Sequence, residues 1–258
     1  MTNAITDPLV DGHEASLDTL DVEVDVTPEG VATVLINRPD RRNGLNWAVI
    51  EALSEAFETL HAADGVSVVV LRGKGGVFCA GMEPEWLLAT ADEARTVVDE
   101  TATMLKRLWD MPALTVALVE GAAVGGGAWL ASACDIVVAT RDAGMNYLDG
   151  KLAASPEVIS PYVTGILGAQ DAGRLFATDR TYDAMAAQRL GLVQEVVADA
   201  GGLDVMAQRI AAAASGGGDD ETLTGETIRR IAGARKQAGD QSGVRAVLDR
   251  ARPPWTSE

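Results

Sequence analysis

The sequence predicts an α/β fold built on a largely parallel sheet, and three observations predict it. Short apolar runs of strand length alternate with longer stretches of helical periodicity through the first two thirds of the chain. Two of those runs end in glycine-rich turns, the second of which opens a helix-like segment. The chain has 258 residues and 47% hydrophobic content, enough for one sizeable core. Strand–helix–strand alternation implies right-handed crossovers and parallel neighbours.

Each element has its own signal. Val22 to Val26 and Val31 to Ile36 read as strands joined by the turn Thr27-Pro28-Glu29-Gly30. Trp47 to Ala63 repeats apolar residues at Val49, Ile50, Leu53, Phe57 and Leu60, one face of a helix. Val66 to Leu71 is a strand. Asp92 to Met111 is a long helix with Val97, Met104, Leu105 and Leu108 on one face and Pro112 as its stop; Trp109 on it reads as core. Leu114 to Val119 and Ile136 to Ala139 are further strands. Beyond about Pro161 the pattern is helical, over Ala169 to Ala177, Asp183 to Leu190, Leu203 to Ala214 and Glu221 to Ala238, with a break at Ser215 to Asp220. The organisation predicted is an acidic N-terminal arm over 1–20, a core over 21–200 and a helical region over 201–258.

Composition narrows the function classes. A net charge of −17 argues against a nucleic-acid surface and against anionic membranes. The first 20 residues have neither a basic start nor an apolar stretch, so they read as a loose arm rather than a leader, and no run approaches membrane-spanning length. Two cysteines, Cys79 and Cys134, make no disulfide framework and fit a reducing cytoplasm, as small buried filler rather than nucleophiles. His13 and His61 are the only histidines, one in the arm and one near a helix end; neither is a candidate base. No metal site is predicted.

The stretch richest in chemistry is Gly121 to Asp135, GAAVGGGAWLASACD. Three consecutive glycines, Gly125 to Gly127, open a helix, and a helix start leaves backbone N–H groups without intrahelical acceptors. Such fixed donors suit an oxyanion. A second candidate turn runs from Arg72 to Met82 after the strand at Val66 to Leu71.

Phe78-Cys79-Ala80-Gly81-Met82 resembles the FCAGxD segment of the crotonase superfamily, the enoyl-CoA hydratases and isomerases. Gly121 to Asp135 resembles that family's NGxxxGGGxEL…CD segment. Asn37 to Asn46 resembles its NRPxxxNAL loop, and Gln188 to Val197 its AxxxGLVxxVV stretch. The four stand in the family's order and spacing, from about Val22 to the C-terminus. The resemblance implies a spiral of stacked ββα turns with a C-terminal helical region that packs on a neighbouring subunit, giving a homotrimer or a hexamer. It implies an acyl-CoA thioester as substrate and no separate cofactor, since coenzyme A is part of that substrate.

It also implies a site. The oxyanion donors carried over are the backbone amides of Met82 and Gly126. Met82 stands where the family has a small residue, so its side chain takes up part of the acyl pocket. Gly81, Arg41, Arg42 and Lys74 fall where the family binds coenzyme A; Arg72 lies beside them, and Arg250 and Arg252 lie in a closing segment that resembles the family's AFxxKRxPxW. Ordinary surface solvation is the alternative for each cation. Trp86 and Trp129 suggest an apolar acyl pocket, with core packing as their other reading. Hydratases carry a glutamate at the position of Trp129, and an indole can neither shuttle that proton nor hold the water. The family's second acid falls on Asp149, one methylene shorter than glutamate; a loop-turn role is its other reading. Glu157 matches the position at which dienoyl-CoA isomerases and the 4-chlorobenzoyl-CoA dehalogenase place an aspartate, and it is equally suited to charge the start of a helix.

Acids on one flank only support removal of a proton and its return further along the chain, which is double-bond isomerisation. Hydration of a branched enoyl-CoA is the alternative, because Ser155 to Val163 resembles some hydratases of branched-chain and isoprenoid acyl-CoA breakdown. A catalytically silent acyl-CoA-binding member is the third reading.

Overall fold

A computed structural model describes residues 20–83, 91–147 and 156–214. Six strands form the main sheet in the order β1 (Val22–Val26), β2 (Val31–Ile36), β3 (Val68–Gly73), β4 (Leu114–Val119), β6 (Ile136–Thr140), β9 (Glu195–Val197). β1 and β2 are the antiparallel hairpin expected from the Thr27–Gly30 turn, where Gly30 takes φ +81°. Every other neighbour in this sheet is parallel. A second, three-stranded sheet joins β5 (Ala122–Val124), β7 (Gly144–Asn146) and β8 (Tyr182–Asp183). Its strands are two or three residues long, too short for periodicity to announce.

The crossovers are helical. α1 (Trp47–Ala62) is capped by Asn46, whose side chain accepts from the Val49 amide. α2 (Ala91–Trp109), α3 (Gly126–Ala133), α4 (Pro156–Leu167), α5 (Ala169–Phe176), α6 (Ala184–Arg189) and α7 (Ala200–Ala214) follow. The alternation along β3 explains the layering. Val69 and Leu71 join the large core with Ile50, Leu53, Phe57 of α1, Met104, Leu105, Leu108 of α2, and Leu130 of α3. Val68 and Val70 point the other way and pack with Val116, Leu118, and Leu203 and Ile210 of α7. The sheet is therefore covered on both faces, which is why β4 is buried at all six positions. Trp109 is core, as expected, with its ring edge-on to Tyr162 at 4.9 Å. Both cysteines are fully buried.

Element boundaries differ from the sequence reading by small amounts. β3 begins at Val68 rather than Val66, because the Ser67 amide is taken by the Gly30 carbonyl at the end of the hairpin turn. The helical half begins at Pro156 rather than about Pro161; proline is tolerated in the first turn of a helix, where its missing N–H removes no bond. The expected helix over Glu221 to Ala238 lies outside the described residues. No helix among the described residues is long and apolar enough to cross a membrane.

Candidate functional site

Three loops meet at Leu45, which is fully buried. The Leu45 amide donates to the Gly81 carbonyl at 2.8 Å, and its carbonyl accepts from the Glu83 amide at 2.9 Å. A trans peptide sets its C=O and N–H on opposite sides, and no peptide described here is cis. With the Gly81 carbonyl turned to Leu45, the Met82 N–H is turned away from it. The 78–82 segment is held on its other edge by β5: the Cys79 amide donates to Ala122 at 3.1 Å and the Val124 amide to Cys79 at 3.0 Å.

Gly126 is the first residue of α3. Its predecessor Gly125 takes φ +49° and ψ −117°, and the Gly125 carbonyl accepts from Trp129 at 3.0 Å. That carbonyl runs along the helix, so the Gly126 N–H on the same peptide points out of the helix start. A side-chain carbon on Gly126 would lie 2.7 Å from Leu45 Cδ1 and 3.6 Å from Met82 Sδ. Met82 and Gly126, 44 positions apart in sequence, are thus brought together across Leu45. Gly127 is packed more tightly still, with 2.2 Å between its would-be Cβ and the Cys79 carbonyl oxygen.

The loop before Leu45 is wired from inside. Asn43 is buried in a left-handed conformation, φ +55°. Its side-chain oxygen accepts from the Arg38 amide at 2.9 Å, and its nitrogen donates to the carbonyls of Lys74 at 2.9 Å and Val77 at 2.6 Å. Arg38 donates to the Gly44 carbonyl at 2.7 Å and pairs with Asp21 and Glu83. The turns carrying Arg42 and Lys74 are therefore one unit. Arg41, Arg42 and Lys74 are exposed, and none forms a salt bridge with a described residue.

Arg72 is a correction to the sequence grouping. It does not join the loop cations: its guanidinium pairs with Asp204 of α7 at 3.0 Å. It shares the face of β3 with Val68 and Val70, so strand alternation directs it to the outer layer. A cavity of about 390 Å³ on that outer face, lined by Thr33, Val70, Arg72, Leu118, Ala207 and Ala211 among others, shares no residue with the Leu45 junction.

Trp129 is 3% exposed and part of the core, and its indole N–H donates to the Tyr147 carbonyl at 3.1 Å. Ser132, one turn along, shares a 2.7 Å hydrogen bond with the Tyr147 hydroxyl. The Gly125 amide donates to Asn146 at 2.8 Å. Asp135, the acid of the Cys134-Asp135 pair, is buried and accepts from both the amide and hydroxyl of Thr115 at 2.9 Å, fastening the end of α3 to β4.

Asp149, Trp86, Arg250 and Arg252 lie outside the described residues. Glu157 is the second residue of α4. Arg38 and Asn43 stand in the Asn37–Asn46 motif loop but carry no role in the sequence pattern alone. An asparagine before glycine is a known occupant of left-handed backbone, and that signal would have found Asn43.

The enoyl-CoA hydratase/isomerase family model matches residues 26–220. The chain belongs to this family. A putative enoyl-CoA hydratase of Thermus thermophilus is 35% identical over 67% of this chain and 70% of its own length. An enoyl-CoA hydratase of Alternaria alternata is 31% identical over 70% of this chain and 60% of its own. The human mitochondrial methylglutaconyl-CoA hydratase is 30% identical over 65% of this chain and 50% of its own. The chain thus spans between half and about two thirds of these relatives. Among solved structures, an enoyl-CoA hydratase/isomerase from Xanthobacter autotrophicus is 29% identical with a TM-score of 0.71, covering 90% of this chain and 86% of that one. An enoyl-CoA hydratase from Bacillus halodurans has a TM-score of 0.75 at 23% identity over 90% and 92%, a likeness of fold. The crotonase fold expected from the motifs is the fold observed.

Proposed function

We propose that this family member stabilises the enolate of an acyl-CoA thioester between the Met82 and Gly126 amides and moves a proton along the acyl chain. The observation that carries the reading is the opposition of the two peptides at Leu45. One N–H is turned away from Leu45 and the other leaves a helix start, at a junction that packs Met82 against Gly126. Two such donors stabilise charge as it forms on the thioester oxygen; removing one typically raises the barrier by about 2.7–4 kcal/mol. The exposed Arg41, Arg42 and Lys74 beside this junction, with the Gly81 turn, are suited to the phosphates of coenzyme A. Trp86 borders the acyl chain in this reading and Met82 narrows its pocket, while Trp129, expected there from the sequence, is packed in the core instead.

Asp149 is the proposed base. Its carboxylate takes a proton from the carbon beside the thioester, the C–H electron pair delocalises onto the thioester oxygen, and the acid returns the proton two carbons away. The double bond migrates and nothing is added or lost. Glu157 is the second acid. The position of Trp129 argues against hydration by a two-carboxylate mechanism, because its N–H is committed to a backbone carbonyl. The relatives' names favour the second reading, hydration, and one of them names a branched acyl-CoA, methylglutaconyl-CoA. No residue of this mechanism calls for a metal or a separate cofactor. A homotrimer or hexamer in the cytoplasm completes the proposal.

The test is a panel of 2-enoyl-, 3-enoyl- and dienoyl-CoA esters run in oxygen-18 water with wild type, Asp149→Asn and Glu157→Gln. Isomerised product without label, lost in Asp149→Asn, supports the proposal. Labelled 3-hydroxyacyl product moves the assignment to hydratase. No turnover on any ester, with binding retained, makes the chain a silent acyl-CoA binder.

A further inference from the structure

We infer that the Arg38–Glu83 ion pair is a positioning element of the site, fixing where the Met82 amide points. The inference rests on the reading of the Met82 and Gly126 amides as the oxyanion donors.

Glu83 follows Met82 directly, and the acid of the FCAGxD pattern falls on it. Leu45 holds the backbone on either side of Met82, through Gly81 at 2.8 Å and Glu83 at 2.9 Å. Both ties end on one residue, so by themselves they leave the segment free to rock about Leu45. A second attachment away from that pivot removes the freedom, and Arg38 supplies it. Its Nη1 donates to the Glu83 carboxylate at 2.5 Å and to the Gly44 carbonyl at 2.7 Å. These two acceptors flank the pivot, one just before Leu45 and one just after Met82. The guanidinium is itself held in place. Its Nε pairs with Asp21 at 3.1 Å, and the Arg38 backbone amide donates to the Asn43 side chain at 2.9 Å.

The side chains of Arg38 and Glu83 are only 12% and 14% exposed. A charge-assisted pair so far from water is stronger and less screened than a surface one. Gly44 makes room for it. A Cβ at Gly44 would lie 3.0 Å from Glu83 Cγ and 3.3 Å from its Oε1. The Glu83 side chain thus lies between the guanidinium and bare backbone, which fixes its direction as well as its distance. Leu45 also sets the approach to Gly126, so a rock of residues 81–83 would change how the two amides face each other. Oxyanion donors work because they are aimed before charge develops. The ion pair therefore acts through Met82 and touches no substrate.

The test reads the thioester carbonyl itself. Acetyl-CoA labelled with carbon-13 at that carbonyl is bound to saturation by wild type, Glu83→Ala and Glu83→Gln. Isotope-edited infrared difference spectra then give its C=O stretch. Acetyl is the smallest acyl group and the least demanding of the pocket. Two aimed donors lower the frequency below its value in water. With one donor misaimed, Glu83→Ala should lose about half of that downshift. Glu83→Gln keeps an oxygen for Arg38 and should fall between Glu83→Ala and wild type. A merely structural role would lower the melting temperature and leave the downshift of the folded, saturated protein as in wild type. That result overturns the inference and leaves the oxyanion reading standing. Should Glu83→Ala fail to fold, Glu83→Gln decides alone, and a full downshift there overturns the inference. Wild type that does not bind acetyl-CoA, or binds it without a downshift, removes the oxyanion reading and the inference with it.

Discussion

The side-chain amide of Asn43 donates to the backbone carbonyl of Lys74 at 2.9 Å, joining two loops that are 31 positions apart. The same nitrogen reaches Val77 and the side-chain oxygen takes the Arg38 amide. One buried residue thus holds the turn of Arg42 to the turn of Lys74. Asn43→Ala removes three part-buried hydrogen bonds, at about 1 kcal/mol each, and adds strain at φ +55°. A loss of about 3 kcal/mol in urea unfolding is expected. Asn43→Gly relieves the strain but not the lost bonds, so it should fall between the two.

The cations on those turns are predicted to act on binding and not on chemistry. Arg42→Ala and Lys74→Ala should each raise KM for a CoA ester about two- to five-fold, the scale of exposed ion pairs, with kcat unchanged. Raising the salt concentration should shrink both effects. A Km that ignores both charge and salt would remove these side chains from the phosphate contact. Arg72→Ala, whose partner is Asp204, is expected to leave KM unaltered.

Gly127→Ala should destabilise the fold severely. The new methyl would meet the Cys79 carbonyl oxygen at 2.2 Å, and backbone on both sides prevents retreat. A cost of about 3 kcal/mol or more is expected, at the upper end for overpacking, read as a lower urea midpoint. Gly126→Ala is predicted to be milder, because its nearest neighbour is Leu45 Cδ1, the end of a side chain that can rotate.

Tyr162 carries a buried hydroxyl with no hydrogen-bond partner among the described residues. Burial, and then the charge of Asp110, push its phenol well above the ordinary value of 10.0. The unfolded chain ionises there and the folded chain does not. Stability is therefore intact below pH 10 and is lost as pH rises above it. Tyr162→Phe should flatten that alkaline loss in melting curves from pH 8 to 11. It should also raise stability at neutral pH by up to about 1 kcal/mol, since an unpaired polar atom leaves the core.

Much of this protein was legible in its sequence because local chemistry leaves local marks. The hairpin, the helices α1 and α2, the parallel sheet and the glycine turns were all visible as periodicity or as residues that only certain backbone shapes accept. The four motifs identified the family. Tertiary structure alone decided the rest. The second sheet consists of strands of two and three residues, below the length at which alternation carries information, and it exists because longer elements bring them side by side. Arg72 faces α7 rather than the loops because β3 is flanked on both sides, a fact of packing. Leu45, Met82 and Gly126 meet through a bridge between segments dozens of residues apart. Trp129 looked in sequence like a missing acid; its grip on Tyr147 is set by the relative placement of α3 and β7, which no pattern within either segment encodes.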